Sequence, residues 1–136
     1  MRNNIFVCLF FFFSFTSIAQ FNNFKAEFST TYNKHPNIPK GLLEAISYNK
    51  THLQNMEGTK QSCIGLPTYF GPMGIVEDGK GYFKYTVDII SELSGKKKED
   101  ILNNPAINIE SYALAFEKLA ENSDNIYDYI SAIKTL

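Results

Sequence analysis

Apolar residues recur along most of the chain at steps of three and four, the spacing that gathers them on one face of a helix. Phe21, Phe24, Phe28 and Tyr32 form the first such stripe. It stops before His35-Pro36-Asn37, because a proline inside a helix removes a backbone donor and clashes with the preceding turn. The spacing predicts a second helix from about Ile38, with Pro39 tolerated in its first turn and Leu42, Leu43, Ile46 and Leu53 on one stripe. Lys50 falls on the same stripe. From Glu57 to Gly81 the chain carries Gly58, Gly65, Pro67, Gly71, Pro72, Gly74, Gly79 and Gly81, a density that no regular helix survives, and a long ordered loop is expected there.

Helical spacing resumes with Phe83, Val87, Ile89, Ile90 and Leu93 and ends at Ser94-Gly95, a good terminator. The run Lys96-Lys97-Lys98 reads as a solvated turn, since Glu99 and Asp100 follow it at once. A short helix is expected around Ile101 and Leu102. Asn104-Pro105 opens the next, with Ile109, Tyr112, Ala113, Phe116 and Leu119 on its apolar face. Ser123 or Asp124 is expected to cap a last helix carrying Ile126, Tyr129, Ile130 and Ile133. No strand alternation of useful length and no internal repeat is visible. The expected fold class is therefore all-α, five or so helices around a single core.

The first nineteen residues change this picture. Arg2, an apolar run from Ile5 to Phe15, and small residues at Ser17 and Ala19 follow the order of a secretory signal peptide, cleaved after Ala19. The run is shorter than the ~20 residues a membrane span needs. The expected product, residues 20–136, is a secreted or periplasmic protein of one domain, with no membrane association once the signal is gone.

The chain holds 13 basic and 14 acidic side chains, so nothing draws it to nucleic acid. Cys8 leaves with the signal, and Cys63 then has no partner for an internal bridge. It reads as a small buried hydrophobe rather than a nucleophile activated by His35 or His52. No metal-ligand spacing or cofactor motif is visible, and none is expected to be used.

Three segments together resemble lytic transglycosylases and goose-type lysozymes. Ile38-Pro39-Lys40-Gly41-Leu42-Leu43-Glu44-Ala45-Ile46-Ser47-Tyr48-Asn49-Lys50-Thr51-His52-Leu53 is similar to their opening helix, written roughly I-P-x-x-L-L-x-A-I-x-x-x-E-S-x-F. Tyr69-Phe70-Gly71-Pro72-Met73-Gly74 resembles their G-L-M-Q loop, and Asn104-Pro105-Ala106-Ile107-Asn108-Ile109-Glu110-Ser111-Tyr112-Ala113 their P-x-x-N-I-x-x-G-A helix start. The likeness runs from Ile38 to about Leu119. It is closest to the lysozyme-like region that precedes the amidase domain in some secreted bacterial N-acetylmuramoyl-L-alanine amidases. The resemblance implies a lysozyme-like helical domain over residues 20–136, a peptidoglycan glycan strand as partner, and Lys50, Thr51, Tyr69, Gly71, Met73 and Tyr112 as substrate-binding positions.

The chain departs from the pattern at the residue that matters most. The family's general acid is a Glu that protonates the glycosidic oxygen and is left negative beside an oxocarbenium-like sugar. Lys50 stands there, with an ammonium of the wrong charge and an ordinary pKa of about 10.4. No catalytic residue is therefore assigned, and a pseudoenzyme that binds peptidoglycan is expected. The ammonium would either point to water along the core edge or lie in the cleft and bind an acidic group of the polymer.

Glu44 is expected to be a solvent residue, turned off the Lys50 face. Glu57, Glu77 and Asp78 are the weak candidates for a relocated acid. Tyr48, Tyr69, Phe70 and Tyr82 can stack on sugars or pack the core. Two other readings stay open. One is an active cell-wall hydrolase, either a muramidase or transglycosylase with a relocated acid or the N-terminal part of an amidase. The other is a secreted helical interaction protein.

Overall fold

In the computed structural model the described residues are 24–58, 67–78, 85–120 and 126–136. The signal segment, Phe21, Cys63, Tyr82, Phe83, Ser123 and Asp124 lie outside them.

The first apolar stripe becomes α1 (Lys25–Lys34), with Phe24, Phe28 and Tyr32 turned into the core. α1 ends where Pro36 requires, and His35 donates its backbone N–H to Thr31 as the last turn closes. Two side-chain pairs then tie this end to a later helix: Lys34 Nζ to Glu110 at 2.7 Å and His35 Nδ1 to Glu117 at 2.7 Å.

The second helix, α2 (Leu42–Thr51), begins later than the proline suggested, because Ile38 to Gly41 form a turn with Gly41 at φ 88°. Gly41 has no side chain to cap the helix, and the orphan amides are served from outside. The Tyr32 hydroxyl accepts from Gly41 N–H at 2.9 Å and Leu43 N–H at 3.0 Å, and donates to Glu44 Oε2. Glu44 is thus engaged with α1, a correction to its reading as a solvent residue. Burial and the Glu44 carboxylate together push the Tyr32 hydroxyl up to about 12. Leu43 and Ile46 enter the core as the stripe predicts, whereas Leu53 lies past the helix end in a left-handed turn with His52.

The glycine-rich stretch is not purely a loop. β1 (Met56–Glu57), β2 (Tyr69–Gly71) and β3 (Ile75–Val76) make a three-stranded antiparallel sheet in the order β1-β2-β3. Met56 pairs with Gly71 and Glu57 with Phe70; Tyr69 pairs with Val76 and Phe70 with Ile75. The all-α expectation is corrected to a mostly helical fold with a small sheet. Strands this short show no alternation, and their glycines read as helix breakers alone.

α3 (Thr86–Ser94) follows, capped by Gly95 at φ 70°, whose N–H returns to Ser91 at 2.8 Å. α4 (Lys98–Asn103) buries Ile101 and begins inside the lysine run. Lys98 pairs with Asp88 at 2.6 Å and Lys96 lies 3.7 Å from Glu110, so two of the three lysines have partners. α5 (Pro105–Leu119) starts as its sequence dictates: Asn104 Oδ1 accepts from Ala106 and Ile107 N–H, and Pro105 takes the first turn.

Burial of Asn108, Ile109, Ser111, Tyr112, Ala113, Ala115 and Phe116 leaves α5 little exposed face, as befits a central helix. It packs against α1, α3, α4, α6 and β2. α6 (Ile126–Thr135) returns over it, with Ala132 and Leu136 buried and the Tyr129 ring 5.7 Å from Phe116. No helix among the described residues is long and apolar enough to cross a membrane.

Candidate functional site

The end of α2, the turn between β2 and β3, and the start of α5 meet in one place, and the contacts are polar. Ser47 Oγ and Thr51 Oγ1, one helical turn apart on α2, both approach the Pro72 carbonyl oxygen, at 2.8 and 2.6 Å. Thr51 Oγ1 is also 2.8 Å from the Ser47 carbonyl, so its single proton is shared between two acceptors.

From the other side Asn108 reaches into the same turn. Its Oδ1 accepts from Met73 N–H at 3.0 Å, and its Nδ2 donates to Ile101 O at 2.9 Å and Phe70 O at 3.3 Å. This side chain is fully buried and its amide is used on both ends. It bonds backbone groups of β2, of the turn and of α4.

Two glycines let these parts close. Gly71, at φ 65°, lies so near Asn108 that an added Cβ would sit 2.1 Å from Nδ2, inside any tolerable contact. Gly74, at φ 58°, packs on the stem of Lys50, where a Cβ would meet Lys50 Cβ at 3.0 Å and Thr51 Cγ2 at 3.1 Å. The turn therefore presses on both α2 and α5 with bare backbone.

Lys50 lies at this junction with its stem against Gly74. Its Nζ donates to the main-chain oxygen of Leu136 at 3.0 Å and lies 5.1 Å from the centre of the Tyr112 ring. No carboxylate side chain among the described residues is within ion-pair distance. Burial lowers the Lys50 pKa from 10.5 to about 8. The Leu136 oxygen and the aromatic face both favour the ammonium, yet desolvation outweighs them. Of the two orientations the sequence left open, the ammonium is turned inward rather than out along the core edge.

The other expected binding residues divide by exposure. Tyr69 is half-buried on β2 and keeps accessible surface. Thr51 and Gly71 are buried and spent on the network. Met73 and Tyr112 have no exposed surface, so they shape the site from behind. The Tyr112 hydroxyl is buried with no hydrogen-bond partner among the described residues, and burial raises its pKa far above 10.

Among the candidate acids, Glu57 and Glu77 are exposed. Asp78 accepts from Thr68 N–H and Oγ1, both at 2.8 Å, and so closes the β2–β3 hairpin. Exposed Tyr48 stands edge-on to His52 at 5.3 Å on the outer side of the α2 end. No group of three or more His, Cys, Asp or Glu among the described residues could hold a metal ion.

Sequence reasoning named neither Ser47, Gly74 nor Asn108 as site residues. The signal for Asn108 was an amide flanked by apolar residues inside a helix, and for Gly74 its close spacing from Gly71 within the glycine-rich stretch.

Compared with known proteins, the chain matches no family model, and no curated protein or solved structure is significantly similar to it.

Proposed function

We propose that the chain is a secreted, lysozyme-like module that binds the glycan strand of peptidoglycan and does not cleave it. One observation carries this reading. The three segments that separately resemble the lysozyme-like family are distant in sequence, yet they converge through the Ser47–Thr51–Pro72 and Met73–Asn108 bonds. Lys50, where that family carries its acid, sits at the convergence. Half-exposed Tyr69 offers a sugar-stacking face on the adjoining strand. The desolvated ammonium of Lys50 offers a donor to a lactyl or stem-peptide carboxylate. Absence of glycosidase activity follows from charge. An ammonium opposes the developing cation of the sugar, and neither Glu57, Glu77 nor the engaged Asp78 is drawn into the network.

The test is sedimentation with insoluble peptidoglycan, with the supernatant assayed for released glycan fragments. The expected result is co-sedimentation without release, and a trace of cleavage after Lys50→Glu, since a general acid is worth about 10²- to 10⁴-fold in rate. Robust release by the natural chain, lost on changing Glu57, Glu77 or Asp78, would overturn the non-catalytic reading.

A further inference from the structure

We propose that α6 is an autoinhibitory strap: its C-terminal end occupies the Lys50 ammonium, and a carboxylate ligand gains that ammonium only when the end of α6 lifts away. The proposal rests on the reading of Lys50 as the ligand-binding side of the junction.

The end of a helix leaves its last carbonyls without intrahelical donors and gathers partial negative charge there. α6 meets both needs with a side chain from another helix. Leu136, which follows the last helical residue, gives its N–H to Ala132 O at 3.1 Å and accepts from Lys50 Nζ on its main-chain oxygen at 3.0 Å. A main-chain oxygen and a carboxylate oxygen are acceptors for the same donor, and the charged one is the stronger. The Leu136 oxygen therefore stands where the carboxylate of a ligand would bind.

What seats α6 is a narrow stripe. Tyr129, Ala132 and Leu136 follow one another at steps of three and four. Ala132 and Leu136 are buried, and the Tyr129 ring is 5.7 Å from that of Phe116 on α5, the element on which α6 chiefly rests. Tyr127, Ile130, Ser131 and Lys134 are exposed, so the helix is a cover held on one side. Segments with few buried contacts open at the low end of the stability range, well before the core does. The stem of Lys50, by contrast, is packed by Gly74 and owes nothing to α6. Lifting the strap uncovers the ammonium and leaves the Ser47–Thr51–Pro72 and Met73–Asn108 bonds in place. A ligand that binds only the lifted state has its affinity reduced by the fraction of chains in that state.

The experiment is amide hydrogen exchange of the full chain, read at Ile133 to Leu136 and, for comparison, at Ile109 to Phe116 of α5. Three additions are compared: sodium chloride, sodium acetate at the same ionic strength as a bare carboxylate, and muramyl dipeptide, which adds the sugar. Lys50→Met and Leu136→Ser are run beside the natural chain, each checked for folding by circular dichroism. The expected result is faster exchange at the end of α6 with acetate and with muramyl dipeptide, no change in α5, and no response in Lys50→Met. Leu136→Ser, which loosens the strap, should bind muramyl dipeptide about tenfold more tightly. Should it misfold, Tyr129→Ala loosens the same stripe and takes its place. Exchange at the end of α6 that neither carboxylate speeds would overturn the strap, and the peptidoglycan reading outlives that result if muramyl dipeptide still shifts the Tyr69 ring. A response to acetate with none beyond it to muramyl dipeptide keeps the strap and sinks the peptidoglycan reading alone.

Discussion

Asn108 and Lys50 flank the same glycine turn, and the fold treats them in opposite ways. Asn108 is fully buried and meets three backbone partners, with its donors and its acceptor engaged. Lys50 is half-buried and meets one main-chain oxygen and a ring face, with no carboxylate side chain beside it among the described residues. A buried polar group with every bond made stabilises and specifies a fold, whereas a desolvated charge with few partners works against it. The contrast separates what holds the junction together from what the junction presents. Asn108 belongs to the architecture, and the presence of Lys50 is not explained by a stability argument.

The largest break in this contrast is predicted at Asn108. Asn108→Leu removes the bonds to Met73 N–H and to the carbonyls of Phe70 and Ile101, and should cost about 3–5 kcal/mol, read as a fall in the urea midpoint. A loss below about 1 kcal/mol would show that the turn is held by something else. Thr51→Val removes one of two hydroxyls on the Pro72 carbonyl and leaves Ser47 in place, so a smaller loss of about 1–2 kcal/mol is expected by the same assay.

Lys50 should behave with the opposite sign. Its pKa is about 8 in the fold and 10.5 when unperturbed, so between those values the unfolded chain binds more protons than the folded one. Stability therefore rises with pH across that window and is lower beneath it. Lys50→Met, similar in length and uncharged, should raise the melting temperature at pH 7, by the equivalent of about 1–2 kcal/mol, and flatten the rise between pH 8 and 10.5. Unchanged stability and an unchanged pH profile would mean that Nζ is solvated.

Much of the scaffold was legible in the sequence because long helices repeat their signal. Phe24, Phe28 and Tyr32 define α1 by spacing alone, Gly95 marks the end of α3, and Asn104-Pro105 the start of α5. The sheet was not legible, since Met56–Glu57 and Ile75–Val76 are two residues each and periodicity needs more. Glu44 was misread for a different reason. Its partner Tyr32 belongs to another helix, and a cap supplied across a tertiary contact leaves no local pattern. In the site, helical phase put Lys50 on the apolar stripe, but not the Asn108 bonds that fix the turn beside it. Those depend on Gly71 admitting an amide at a distance no side chain would allow.

The central claim is that the Lys50 end of this junction is the ligand-binding side. The most direct measurement is an NMR titration of the isotopically labelled chain with a soluble peptidoglycan fragment, following Lys50 Nζ and the Tyr69 ring together with the methyls of Ile109 and Ala115. The account predicts saturable shifts at Lys50 and Tyr69, much smaller ones at the buried α5 methyls, and loss of the Lys50 response when the fragment's carboxylates are amidated. Absence of any saturable shift, or shifts confined to exposed Tyr127 and Ile130 on α6, would contradict it.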